Sequence, residues 1–258
     1  MHIFIKPQPI TCLSFDLDDT LYDNRPIMRR AEQKLLDYLH EQFSATEQWY
    51  PNEIMAIKAQ LLRTHAGLVH DVSHLRQAAI AQGLVNAGYS NNQAHKGAVE
   101  ALQHFLHYRS DFTLSTSVMD LLEALKQKYP LIAITNGNVD AKRIGLDGMI
   151  EFALCPGNGM RMKPYGDMFH LALNTLNIDA DRLMHIGDSS ASDVRGAREA
   201  GCQAAWLNPA FGVQQHVGVA ADELNATITT LEKTVMNKQS SLLPHICLSN
   251  LEQLRALL

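Results

Sequence analysis

Charge is scarce in this chain of 258 residues, and it has no basic excess: charged residues make up 19% and the formal net charge is -5. Without a broad positive footprint, nucleic acid is excluded as a general partner, and an anionic ligand must be drawn in by local groups. Long hydrophobic runs are also missing. No stretch approaches the roughly 18 apolar residues of a membrane span, and residues 1–9 lack the apolar core and small-residue cleavage site of a signal peptide. Cysteine is sparse. Cys12, Cys155, Cys202 and Cys247 form neither a CxxC pair nor a zinc spacing, and Cys12 and Cys202 sit among apolar neighbours as small core residues. The histidines show no HExxH pattern and read mostly as surface or helix positions, and no internal repeat or low-complexity tract occurs. With hydrophobic residues at 46%, the expectation is a globular cytoplasmic protein with no membrane partner. Nothing fixes the oligomeric state; a monomer or weak dimer is the simplest expectation.

Against that background one acidic stretch stands out: Asp16-Leu17-Asp18-Asp19-Thr20, directly after the apolar run Ile10-Thr11-Cys12-Leu13-Ser14-Phe15. The run suits a buried parallel strand, along which residues two apart share a side. Asp16 and Asp18 are then expected together at the strand's carboxyl end, where open α/β sheets bind ligands. Two carboxylates that close call for a cation or a shared proton, and so suit a hard metal ion or paired nucleophile and acid/base chemistry. A solvated turn is the plain alternative. A calcium loop counted from Asp16 fails, because its sixth and twelfth positions hold Leu21 and Ile27 instead of Gly and Glu.

Residues 26–110 show helical periodicity and no convincing strand. Ile27, Ala31, Leu35, Leu39 and Phe43 recur every four residues, and further helices are expected over about 52–63, from Ser73 as N-cap to near Gly88, and over about 91–109 with Val99, Leu102 and Leu106 on one face. Thereafter helix and strand alternate. Strands are expected at 131–134, 153–154, 183–186, 204–207 and 246–248, and helices at 117–128, 166–176, 193–200 and after Leu251. This alternation predicts an α/β fold: a Rossmann-like parallel sheet with helices on both faces, residues 1–24 and 112–258, into which a four-helix block, 25–111, is inserted. In segment 210–241, Leu224, Ile228, Leu231 and Val235 predict an additional amphipathic helix that covers a sheet edge or a partner.

Three later strand ends carry groups suited to phosphate and a divalent ion: Thr135-Asn136-Gly137, Lys163 ahead of Pro164 and a helix, and Gly187-Asp188 with Asp193 five residues on. Singly, each reads as a turn, a surface lysine or a helix cap. Together, in this order, they resemble the haloacid dehalogenase superfamily of phosphatases over nearly the whole chain. The resemblance implies Asp16 as the nucleophile that forms an aspartyl-phosphate and Asp18 as general acid and then base. It implies that Thr135, Asn136 and Lys163 bind the phosphoryl group. Around Mg2+ it places Asp16, Asp18 through its backbone carbonyl, Asp188 and Asp193. Dehalogenases of the superfamily lack the second Asp, having no oxygen leaving group to protonate, so Asp18 points to phosphate esters.

The inserted helices match the position of a cap in one subgroup. Within them, His70-Asp71-Val72-Ser73 and Arg76 resemble a segment of bacterial phosphatases acting on flavin mononucleotide and on the ribitylaminouracil phosphate of riboflavin synthesis. Asp23-Asn24-Arg25-Pro26, Ile134-Thr135-Asn136-Gly137-Asn138 and Leu243-Pro244-His245 resemble the same group. The implied partner is a small-molecule phosphate ester, with Asp71 and Arg76 touching it; capping and bracing of a helix is their alternative role. Other sugar phosphates or nucleotides, a phosphomutase and a non-catalytic binding protein are the remaining readings.

Overall fold

The computed structural model describes residues 1–210 and 243–258. The helix expected over 224–235 lies outside the described residues. A short strand β1 (His2–Ile3) precedes β2 (Cys12–Phe15), after which the chain enters four helices: α1 (Asn24–Gln42), α2 (Pro51–Thr64), α3 (Val72–Asn86) and α4 (Asn91–Arg109). It then alternates through α5 (Thr116–Lys126), β3 (Leu131–Ile134), β4 (Ala153–Leu154), α6 (Asp167–Leu176), β5 (Leu183–Gly187), α7 (Arg195–Glu199), β6 (Gln203–Leu207) and β7 (Ile246–Leu248). The strands form one sheet in the order β1-β7-β6-β5-β2-β3-β4. Every pairing is parallel except β1 on β7.

Alternation along the strands sorts side chains onto two faces. Leu13, Phe15, Leu131, Ala133, Met184, Ile186, Ala205 and Leu207 build one core, with Leu121, Leu122 and Leu125 of α5 against it. Cys12, Ile132, Ile134, Leu183 and Ala204 build the other, with Met168, Phe169 and Ala172 of α6. The helices α1–α4 close on a third cluster of their own, from Ala31, Leu35 and Leu39 to Ala98, Ala101 and Phe105.

Several local expectations change. Helix α3 is capped by Asp71, whose carboxylate accepts the His74 N–H at 2.8 Å, and not by Ser73, which accepts from Asn138 Nδ2 at 3.0 Å. On α4 the buried stripe is Ala94, Gly97, Ala98, Ala101, Phe105 and Arg109; Leu102 and Leu106 pack only at its margin. Small residues win the centre because they let α1 and α3 approach closely: a Cβ on Gly97 would collide with the Phe43 ring. The stretch expected as one helix over 193–200 is a π-turn, Ser190–Val194, followed by the short α7, and the closing element is 3-10 turn, Leu251–Leu257. Among the described residues, no helix is long and apolar enough to cross a membrane.

Candidate active site at the strand ends

Strand β2 ends one residue earlier than the acidic motif begins. Asp16 N–H still donates to the Ile186 carbonyl of β5 at 2.8 Å, and the chain then turns through Asp19 in the left-handed region (φ 57°). Asp16 is thereby anchored between β5 and β3, and Asp18 leaves on the turn. Leu17, between them, points into the core. The charge of Asp18 reaches Asp16 across this turn and not along a continued strand.

Lys163 is the hub. Its buried ammonium donates to Asp16 Oδ1 at 3.0 Å and to the Ile134 carbonyl at 2.5 Å, and pairs with Asp193 Oδ1 at 2.7 Å. Although burial opposes the charge, Asp16 and Asp193 hold the ammonium's pKa above its usual value. Burial pushes the Asp16 carboxyl up, with Lys163 pulling it back. Asp193 is held well below the carboxylate range: burial works against ionisation, but Lys163 and a hydrogen bond from His185 outweigh it. His185, directly across from Ser14 in the β2–β5 register, is driven down to about 4 by burial and by Lys163 and is neutral. Its Nε2–H then donates to Asp193 Oδ1 at 3.2 Å while Nδ1 accepts the Ser14 hydroxyl at 2.9 Å.

Asp188 follows β5, half-buried, its carboxyl raised by burial and by the charge of Asp193. Thr20 Oγ1 donates to it at 3.3 Å, and Trp206 Nε1 donates to its backbone carbonyl at 2.8 Å. Asp16, Asp188 and Asp193 each offer an oxygen, all within 4.8 Å of one another. Among the described residues three carboxyl groups face one ammonium, a deficit of positive charge that also underlies the raised Asp16 and Asp188. An all-oxygen donor set with that deficit fits a hard divalent cation.

Thr135 is buried at the end of β3, and its Oγ1 accepts the Gly137 N–H at 3.1 Å. Asn136 spends both ends of its amide on the Lys163 backbone, donating to the carbonyl at 3.0 Å and accepting from the N–H at 2.7 Å. It therefore fixes the Lys163 loop, a task the sequence did not suggest. Asp18 pairs with the buried Arg109 guanidinium, and Tyr22 OH donates to the same carboxylate at 2.5 Å.

The two residues read from the helical segment part ways. Asp71 lies against Gly157 of the core, so close that a Cβ there would press on its carboxylate. Arg76 stays among the helices, 3.7 Å over the Phe105 ring and 3.5 Å from Glu32, and is not brought to the acidic cluster. His245 serves the sheet: its carbonyl accepts from Phe4 and Ile5, and its Nδ1 accepts the Ala204 N–H. His185, Tyr22 and Arg109 went unnoticed in the sequence. A histidine inside an apolar strand and an arginine on the Ala98-Ala101-Phe105 stripe were the available signals.

A parallel sheet with these carboxylates and a buried lysine at its strand ends is the architecture of one hydrolase family, and the chain belongs to it: the haloacid dehalogenase-like hydrolases, matched over residues 10–201. Within that family its relatives make it a phosphoric monoester hydrolase. It is 33% identical, over 96% of both chains, to 5-amino-6-(5-phospho-D-ribitylamino)uracil phosphatase YigB of Escherichia coli (strain K12). It is 23% identical to the human N-acylneuraminate-9-phosphatase over 77% of this chain and 83% of that one. Among solved structures, the 2-haloacid dehalogenase from Pseudomonas syringae pv. Tomato DC3000 superposes with a TM-score of 0.80 at 33% identity, covering 96% of this chain and 97% of that one. The magnesium-bound putative HAD-hydrolase YfnB from Bacillus subtilis shares the fold at 18% identity, with a TM-score of 0.61 over 97% and 99% of the two chains.

Proposed function

We propose that the protein is a Mg2+-dependent phosphatase that works through an aspartyl-phosphate and acts on a phosphate ester of the flavin pathway, flavin mononucleotide or the ribitylaminouracil phosphate. The observation that carries the chemistry is the meeting of Asp16, Lys163, Asp188 and Asp193 in one cluster. Asp16 attacks phosphorus, and the P–O bond to the leaving group breaks as Asp18 passes its proton to the departing oxygen. Asp18, now a carboxylate, takes a proton from water as that water attacks the aspartyl-phosphate. Inorganic phosphate leaves and Asp16 is restored. Thr135 and Lys163 hold the phosphoryl oxygens in line. Asp16, Asp188, the Asp18 carbonyl and Asp193 are the groups that would hold Mg2+, which when bound offsets charge on the nucleophile and the phosphoryl oxygens.

The helices α1–α4, roughly 25–111, act in this reading as a cap inserted into a core of 1–24 and 112–258. They exclude water and select the leaving group. Asp71, whose carboxylate lies beside Gly157 at the seam between α3 and that loop, is the cap residue expected in this reading to touch substrate; Arg76 braces the bundle. The similarity to YigB along nearly the full chain supports the flavin-pathway substrate.

A second reading comes from the haloacid dehalogenase named above. Asp18 argues against it, since halide departs without a proton. A panel of flavin mononucleotide, the ribitylaminouracil phosphate, sugar phosphates, nucleotides and 2-chloropropionate, each with and without Mg2+, decides among these. Phosphate release is expected to be fastest from a flavin-pathway ester, to require Mg2+ and no sugar bisphosphate, and to vanish in Asp16→Asn. Equal rates on generic sugar phosphates would remove the flavin assignment. Chloride release with no phosphate release would overturn the reaction.

A further inference from the structure

The chain crosses between the sheet and the helical bundle twice, and each crossing sends a side chain to Asp18. Tyr22 lies on the first, two residues ahead of α1; Arg109 is the last residue of α4, at the second. The crossings are also locked to each other. Tyr22 packs edge-on against Phe112 with ring centroids 4.6 Å apart, and Arg30 of α1 pairs with Asp111 at 3.1 Å. Both Arg109 Nη2 and Tyr22 OH donate to the same oxygen, Asp18 Oδ1. Arg109 is only 1% exposed, and its Nε and Nη1 have no hydrogen-bond partner among the described residues, so this contact with Asp18 matters disproportionately to it.

Asp18 Oδ2 is left facing the loop after β3, so near the Gly137 Cα that a Cβ there would collide with it. That loop carries Thr135, between Ile134, whose carbonyl accepts from the Lys163 ammonium, and Asn136, whose Oδ1 accepts the Lys163 backbone N–H. The carboxyl thus has one oxygen anchored by the crossings and one presented to the phosphoryl side.

We infer that Tyr22 and Arg109 are positioning residues for Asp18: by occupying Oδ1 they make Oδ2 the oxygen that gives the proton to the leaving group and takes it back from water. This rests on the phosphatase reading above. It also explains why the cap and the acid belong to one device, since any swing of the helices at the two crossings moves the groups that aim Asp18. A carboxyl free to rotate presents its proton in the wrong direction for part of the time, and positioned proton transfer is worth on the order of 10²–10⁴-fold in rate.

The test uses two esters with opposite needs. An alkyl phosphate requires a proton on its leaving oxygen; p-nitrophenyl phosphate leaves as a stable phenolate. For Tyr22→Phe, which keeps the ring against Phe112, kcat/KM for the alkyl ester is expected to fall about 10-fold, and for p-nitrophenyl phosphate by no more than about 2-fold. The value of kcat, which includes hydrolysis of the phospho-aspartate with Asp18 as base, falls for both. Arg109→Lys, which keeps the buried charge, should show the same split. In an Asp18→Asn background, Tyr22→Phe should add nothing to the split, because the two changes act through one carboxyl. Equal losses of kcat/KM on both esters, no loss of kcat/KM on either, or a split that persists in Asp18→Asn would each overturn the inference and leave the phosphatase reading intact. Absence of phosphate release from both esters by the unaltered protein with Mg2+ would overturn the two together.

Discussion

Lys163 bears on folding and on the proposed chemistry through the same three contacts. Its ammonium is buried and offsets Asp16 and Asp193 at 3.0 and 2.7 Å. Removing it leaves two carboxylates inside the protein without their cation, an arrangement that costs about 3–5 kcal/mol when one partner of a buried pair is lost. Lys163→Met is therefore expected to lower unfolding stability by about that amount, measured by urea titration in EDTA, and to abolish phosphate release. The hydrophobic chain of Met does not rescue it, because burying apolar area cannot replace the missing charge unless both carboxylates go as well. His185 contributes differently: neutral at working pH, it orients Asp193 and carries no charge of its own.

At the scale of elements, α3 places Asp71 at its own N-terminus, where one carboxylate oxygen caps the helix and the group also faces the Gly157 loop. Capping and the proposed substrate contact can be separated by substitution. Asp71→Ala is expected to cost about 1 kcal/mol of stability through the lost cap. Asp71→Ser keeps the cap and so the stability, yet raises KM several-fold for the preferred ester with kcat nearly unchanged. A KM that stays level in Asp71→Ser would confine Asp71 to capping. Helix α4 packs on α1 and α3 through small residues along one side, Gly97, Ala98 and Ala101, and its last residue, Arg109, meets Asp18.

For the whole molecule the governing quantity is charge at the strand ends. Asp16, Asp188 and Asp193 converge against Lys163 alone among the described residues, and a divalent ion held by them would relieve their repulsion in the folded state only. Binding that favours the folded state stabilises it by about 2.7 kcal/mol at a hundredfold excess over Kd. Adding Mg2+ after EDTA treatment is expected to raise Tm, and Asp188→Asn to shrink that rise. A Tm indifferent to Mg2+ in the unaltered protein would refute the metal assignment without any reference to turnover.

Spacing and residue type determined the alternating strands and helices and the four-helix block, and, together with the resemblance their order carries, picked out Asp16, Asp18, Thr135, Lys163 and Asp188 as groups worth bringing together. Those are properties of short windows: a period of two or near four, a glycine or proline at an end, a polar group after an apolar run. Which carboxylate partners which cation was a tertiary matter. Arg109 is 91 residues from Asp18, and His185 is 171 from Ser14; no local pattern encodes such contacts. The small-residue face of α4 escaped the hydrophobic reading for a related reason. Close packing rewards what is absent from a side chain, and that becomes visible only when another helix lies against it.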